Sequence, residues 1–274
     1  MKFALFVGCK IPSRLPAYEI STRAVLGRLG VSLVDLDFTC CGYPARNISR
    51  DAFVLAAARN LALAERAGLD VLTPCKCCFG NLRHAIRFLG EDEALRSRVE
   101  KALATEGLAW SGHTEVHHLL PLLARKVGID KVTASVRLPQ TGMRVAAQYG
   151  CHALRPSNVT RFDNPMAPTI FEKLIRATGA VAINWPRRLD CCGDPLHEAN
   201  GPLSERITLA KLADARQSGA TTICTACPHC HLRMDAVLAG STSASAETGT
   251  EIKTLLYPQL LGLAMGLAPE ALGM

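Results

Sequence analysis

The sequence predicts an α/β protein built as two pseudo-repeated domains, residues 1–135 and 136–274, each a small, mostly parallel sheet flanked by helices. Three observations point there. Short apolar runs alternate with stretches of helical spacing along the chain. The cysteine pattern of the first half returns in the second. The 274 residues are 49% hydrophobic, enough for one large core or two modest ones.

Residues 3–8 (FALFVG) form a short apolar run suited to a buried strand, and residues 17–30 follow at helical spacing with Gly30 as their stop. A second strand is expected over 31–36. A helix over 51–68 is opened by Asp51 and closed by Gly68, and a third strand over 70–74 delivers the chain to Cys75. The next helix runs over 77–90. The second half repeats the order, with strands over 144–150, 180–184 and 221–226 and helices over 168–179, 203–219 and from Cys227 to 240. The boundary is expected within 131–144, which carries Pro139, Gly142 and little apolar periodicity. The apolar tail 254–274 reads either as a docking helix or as a helix capping the core.

Twelve cysteines mark the repeat. In the first half they fall at Cys9, at Cys40-Cys41-Gly42 and at Cys75, Cys77 and Cys78; in the second at Cys151, at Cys191-Cys192-Gly193 and at Cys227 and Cys230, with Cys224 before them. From the pair to the C-x-x-C the step is 34 residues, then 35. Gly8 and Gly150 each precede the lone cysteine, and Pro44 and Pro195 each follow the C-C-G. Ten of the cysteines fit one template used twice, and Cys77 and Cys224 are left out as packed thiols.

The net charge is +7, with Lys and Arg scattered. No aromatic-interleaved basic stripe appears, so no nucleic-acid partner is expected. The apolar stretch before Cys9 falls short of the roughly 7–15 residues of a secretion signal's apolar region. No run reaches the roughly 18–20 apolar residues of a membrane span. A cytoplasmic location is expected, and in a reducing compartment clustered cysteines hold metal or do redox chemistry.

The lone cysteine and the C-x-x-C of each unit come immediately after a strand, and the vicinal pair lies in a loop after another. In parallel sheets, sites form beyond the carboxyl ends of strands, so the five thiols of a unit gather on one edge. A helix starting at the C-x-x-C favours thiolate. One zinc ion takes four ligands, and two adjacent cysteines are awkward on a single ion. A centre of several irons has room for both, and the glycine lets the backbone turn tightly or approach the inorganic core. The alternative of a different class is a non-enzymatic module whose cysteines hold zinc.

The pattern C…CCG…C-x-x-C, twice in one chain, resembles the cysteine-rich CCG domain and is similar to the B subunit of heterodisulfide reductase. The stretches GCKIPSRLPAYEISTRAVLGRLGVSLVDL and TPCKCCFGNL carry the likeness. The resemblance implies two α/β halves, each holding a non-cubane [4Fe-4S] cluster. One would sit on Cys9, Cys40, Cys41, Cys75 and Cys78, the other on Cys151, Cys191, Cys192, Cys227 and Cys230. It implies an oxidoreductase that cleaves or forms disulfide or persulfide bonds. The stretch IPSRLPAYEISTRAVL looks more like the bacterial heterodisulfide-reductase-like complex of sulfur oxidation than the methanogen enzyme of the coenzyme M–coenzyme B disulfide. The chain carries no ferredoxin-type cysteine run and no flavin or nicotinamide fingerprint. The expected partners are therefore the ferredoxin-like iron–sulfur and flavin-bearing subunits of the same complex, and the resemblance to the bacterial complex implies a lipoate-binding sulfur carrier as well. A third reading is a CCG protein of electron transfer or lactate oxidation, without disulfide chemistry.

Polar residues next to the cysteines are Lys10, Arg14, Arg46, Lys76, His152, Arg155, His229 and His231. Positive charge there would attract anionic substrates; the plainer reading is solvated surface or hydrogen bonds to sulfur. His152 abuts Cys151 and His229 lies inside the second C-x-x-C, so these two are the candidate proton donors. His117 and His118, in an apolar context, read as packing or linker residues.

Overall fold

The computed structural model describes residues 1–240 and 252–274. The first half runs β1 (Lys2–Leu5), α1 (Lys10–Arg14), α2 (Pro16–Arg28), β2 (Ser32–Val34), α3 (Arg50–Arg66), β3 (Val71–Thr73), α4 (Lys76–Glu91), α5 (Glu93–Ala104), β4 (Val116–His118), α6 (Leu119–Pro121), a π-helical turn (Leu122–Gly128) and α7 (Ile129–Ala134). The second runs β5 (Arg144–Gln148), α8 (Ser157–Thr160), α9 (Ile170–Ala177), β6 (Val181–Ile183), α10 (Gly201–Gln217), β7 (Thr222–Thr225), α11 (Pro228–Gly240), β8 (Lys253–Leu256) and α12 (Tyr257–Ala264).

Each half holds a four-stranded sheet in the same order, β2-β1-β3-β4 and β6-β5-β7-β8. Every pairing is parallel. Phe3 lies opposite Leu33 and Leu5 opposite Leu72, as Val145 lies opposite Ala182 and Ala146 opposite Ile223. Parallel strands need helices on their faces, which is why the strands are short and apolar and the helices half apolar. The fourth strand of each sheet lies outside the sequence expectation. β4 is three residues long with two histidines and no apolar alternation, so its pairing with β3 is a tertiary event.

The halves share one continuous core. α12 buries Tyr257, Leu260, Leu261 and Ala264 and packs on α2 of the first half. The chain at Gly273 comes so close to Ala17 that a Cβ there would sit 2.8 Å from the Ala17 Cα. The tail is therefore a capping element of the core. The 131–144 segment is also more ordered than its pattern suggests: α7 enters it, and the amides of Arg137 and Leu138 donate to the Ala264 carbonyl at 2.8 and 2.9 Å.

Candidate metal centres

Four of the cysteines lie two to four residues beyond the end of a strand. Cys9 follows β1, Cys75 follows β3, Cys151 follows β5 and Cys227 follows β7. Helices α4 and α11 begin at Lys76 and Pro228, immediately after Cys75 and Cys227. Cys75 is the N-cap of α4, and its sulfur accepts from the Cys78 amide at 3.4 Å. The helix start thereby brings both sulfurs of the C-x-x-C to the strand end.

The vicinal pairs reach the same edge by a shared device. Gly42 and Gly193 both adopt left-handed backbone, φ 81° and 92°, and each leads into a 3-10 turn containing Pro44 or Pro195. A Cβ at either glycine would lie 2.6 Å from a helix carbonyl, that of Phe53 or of Ser204. The glycine is needed for the turn and for its close contact with the following helix. Buried polar side chains then hold the cysteine carbonyls. Asn60 and Asn81 donate to those of Cys40 and Cys41 at 3.1 and 2.7 Å, and Thr208 donates to that of Cys192 at 2.8 Å. The Lys211 ammonium donates to the Asp190 carbonyl at 3.1 Å from beneath the second pair, and burial lowers its pKa to about 8. Sequence reasoning missed these braces; polar residues in otherwise apolar helix faces, as in VLAAARNLALA, were the available signal.

The result is two matching arcs of sulfur. Cys9 lies 3.8 Å from Cys40, and the order continues through neighbouring Cys41, Cys78 and Cys75. In the second half Cys151 neighbours Cys191, then Cys192, Cys230 and Cys227 follow in the same order. The five sulfurs of each half line one space. The first is a cavity of about 310 Å³, and the second is drawn closed to about 20 Å³. All twelve thiols are free.

The arcs meet at the boundary between halves. Cys75, Cys77 and Cys227 have their sulfurs within 4.8 Å of one another. Cys77 is buried, as a packed thiol would be, yet it and His229 line both cavities. Lys76, fully enclosed, donates to the carbonyls of Gln148 and Tyr149 at 2.8 and 2.9 Å. His118, also enclosed, points Nε2 at the carbonyls of Pro74 and Ala226, the residues that precede Cys75 and Cys227, at 3.0 and 3.3 Å. It is indeed a packing residue, one that spans the two sites. His117 sits beside Asp70 and Glu115 with the Lys126 ammonium 3.2 Å away, an ion-pair cluster.

The two candidate proton donors have different surroundings. Burial lowers the pKa of His229, but its Nδ1 lies 2.5 Å from the Asp194 carboxylate, which outweighs burial and raises the pKa overall. Lys10, beside Cys9, reaches the same pair at 3.1 Å from His229 and 3.5 Å from Asp194. Burial lowers the His152 pKa; Cys227 opposes the shift and the Arg46 charge adds to it. The His152 Nδ1 is 3.0 Å from the Cys77 sulfur. His231 is buried between Thr225 and Asp235, away from both cavities.

The donor set suits an iron–sulfur group. Five sulfurs around one space exceed a tetrahedral ion's needs, and a thiolate-ligated cluster is anionic. No carboxylate lines either cavity, while Lys10, Arg14 and Lys76 do.

Comparison with known proteins agrees with this architecture. The cysteine-rich domain family CCG matches at residues 3–83 and 145–235. The chain is 34% identical over 279 residues to the B subunit of the ferredoxin/F(420)H(2)-dependent CoB-CoM heterodisulfide reductase of Methanosarcina acetivorans, covering 99% of this chain and 92% of that one. It is 32% identical over 275 residues to the 8-methylmenaquinol:fumarate reductase membrane anchor subunit of Wolinella succinogenes, covering 100% and 95%. A crystal structure of a hypothetical protein from Helicobacter pylori shares the fold, with a TM-score of 0.76 at 18% identity; it matches 99% of this chain and 50% of its own. No helix among the described residues is long and apolar enough to cross a membrane.

Proposed function

The chain belongs to the family of cysteine-rich CCG-domain proteins that includes the B subunits of heterodisulfide reductases, and from that premise we propose that it is an iron–sulfur oxidoreductase acting on sulfur groups. In this reading it is the catalytic component of a heterodisulfide-reductase-like complex that cleaves or forms disulfide or persulfide bonds, with residues 1–135 and 136–274 as its two units. The observation that carries the reading is the meeting of two five-sulfur arcs at Cys75 and Cys227.

Two non-cubane [4Fe-4S] clusters, held by Cys9, Cys40, Cys41, Cys75 and Cys78 and by Cys151, Cys191, Cys192, Cys227 and Cys230, would supply the two single electrons that cleaving an S–S bond takes up. The protein's own residues handle position and protons. His229, whose pKa Asp194 raises, is placed to give a proton to a departing sulfur; His152, whose pKa burial lowers, is placed to take one. Lys76 and His118 fix the distance between the two halves of the site.

We assign the complex to bacterial sulfur oxidation in the cytoplasm, with a ferredoxin-like iron–sulfur protein, a flavoprotein and a lipoate-binding sulfur carrier as partners. The composition and the stretch at 11–26 support this over the methanogen type. A second reading, electron transfer without disulfide chemistry, is favoured by the Wolinella relative, whose name gives it a place in a fumarate reductase.

Anaerobic measurement of iron and acid-labile sulfide per chain, with EPR during titration by a disulfide, tests the proposal. Two multi-iron centres with at least one signal altered by disulfide are expected. A colourless protein holding zinc, or centres blind to every disulfide and persulfide tried, would overturn it.

A further inference from the structure

The two five-sulfur sets leave Cys77 and Cys224 over, and the fold treats them differently. Cys224 is in β7, fully buried, and lines neither cysteine cavity. Cys77 lines both cavities and also a third pocket, of about 250 Å³, bounded by Tyr43, Arg46, Asn81, His84, His152 and Arg155. Cys77 is the one residue common to the walls of all three spaces.

The third pocket has the character of a ligand site. No carboxylate lines it, and neither Arg46 nor Arg155 has an ion pair among the described residues. Asn81 is fully buried, with Nδ2 donating to the Cys41 carbonyl and Oδ1 lacking any partner. A buried acceptor left unmatched asks for a donor from a ligand, and two unpaired guanidinium groups ask for an anion. At the pocket's inner end the Cys77 sulfur lies 3.0 Å from His152 Nδ1 and 3.9 Å from the Cys227 sulfur.

We propose that Cys77 receives the substrate's sulfur. A small disulfide bearing an acidic group enters the third pocket and exchanges with the Cys77 thiol. This deepens the disulfide reading above and rests on it. In the exchange the Cys77 sulfur attacks RS–SR′, the RS–SR′ bond breaks, and a Cys77–S–SR bond forms. The Cys77 proton ends on R′S, giving R′SH, with His152 placed to carry it. No net oxidation occurs in this step. Two electrons from a one-electron donor of the ferredoxin class, with two protons, then restore the Cys77 thiol and release RSH. A thiol placed where both cysteine sites and the entry pocket meet holds the sulfur at the junction through both steps.

The test uses the anaerobic, iron-loaded protein and 3,3′-dithiodipropionate, a dianionic disulfide, without reductant. One carboxyethylthio adduct per chain is expected on the peptide carrying Cys77, by mass spectrometry, with iron and sulfide per chain unchanged. Cys77→Ser should keep its iron, take no adduct, and cleave the disulfide with reduced viologen roughly tenfold more slowly or worse. Arg46→Gln should slow labelling by the dianion and leave labelling by uncharged bis(2-hydroxyethyl) disulfide unchanged. Absence of an adduct on Cys77 overturns the proposal, as does full turnover by Cys77→Ser. Loss of iron in Cys77→Ser would make it a ligand and equally overturns it. Adducts scattered over the ten repeated cysteines of an iron-free chain would instead overturn the cluster reading, and this one with it.

Discussion

Lys76 Nζ donates to the Tyr149 carbonyl at 2.9 Å, tying a residue flanked by two cysteines of one half to the peptide before Gly150 and Cys151 of the other. The ammonium also lies 5.0 Å from the Phe171 ring centroid, and burial lowers its pKa. Lys76→Met keeps the length and removes the donors. Two buried carbonyls then lose a partner, a loss of about 1–3 kcal/mol. Denaturant unfolding should show it, and iron analysis should show depletion of the centre at Cys151 ahead of the one at Cys9.

The C-C-G glycines offer a cleaner separation of the two sites. Gly42→Ala and Gly193→Ala each place a methyl 2.6 Å from a helix carbonyl, on left-handed backbone. Each should destabilise by roughly 1–3 kcal/mol. Because each loop serves one arc, each variant should lose iron from its own half and leave the other's EPR signal in place.

His118 carries a pH signature. Burial pushes its imidazole pKa down, to about 3, with the Lys76 charge adding to the effect; Cys227 and the two carbonyls oppose it. In the unfolded chain the ring titrates at about 6.5. Between those values the unfolded chain takes up a proton that the folded one refuses. The stability contribution is therefore complete above about pH 6.5 and is lost as pH falls toward 3, by up to about 1.4 kcal/mol per pH unit. Unfolding curves at pH 7 and pH 5 should show a larger drop for the parent than for His118→Gln.

Asp194 controls the proton on His229. Its carboxylate offsets burial and raises the His229 pKa, so the imidazolium persists above the ordinary histidine range and is lost as pH rises through the raised value. Asp194→Asn removes that support. The alkaline limb of disulfide turnover should move to lower pH, with iron content unchanged. An unmoved limb would show that the proton comes from elsewhere.

Much of the site was legible in the chain. Strand, cysteine and helix follow one another within a few residues, so spacing alone placed Cys75 and Cys227 at helix starts on the sheet edge. The C-C-G glycines were legible as turns, though the contact that demands them is a helix carbonyl. β4 and β8 were not, since three or four paired residues carry no periodic signal. Cys77 was hidden for a related reason: inside a C-x-x-C it looks like filler, and its neighbours His152 and Cys227 lie 75 and 150 residues away.

By itself the sequence determined the repeat, the α/β alternation and the ten cysteines that share a template, because these rest on local periods and short spacings. The tertiary structure decided how the halves face each other, and with it the roles of Lys76, His118 and Cys77. Those contacts join residues distant in the chain, and their proximity is set by the packing of one core across two sheets, for which no local pattern codes.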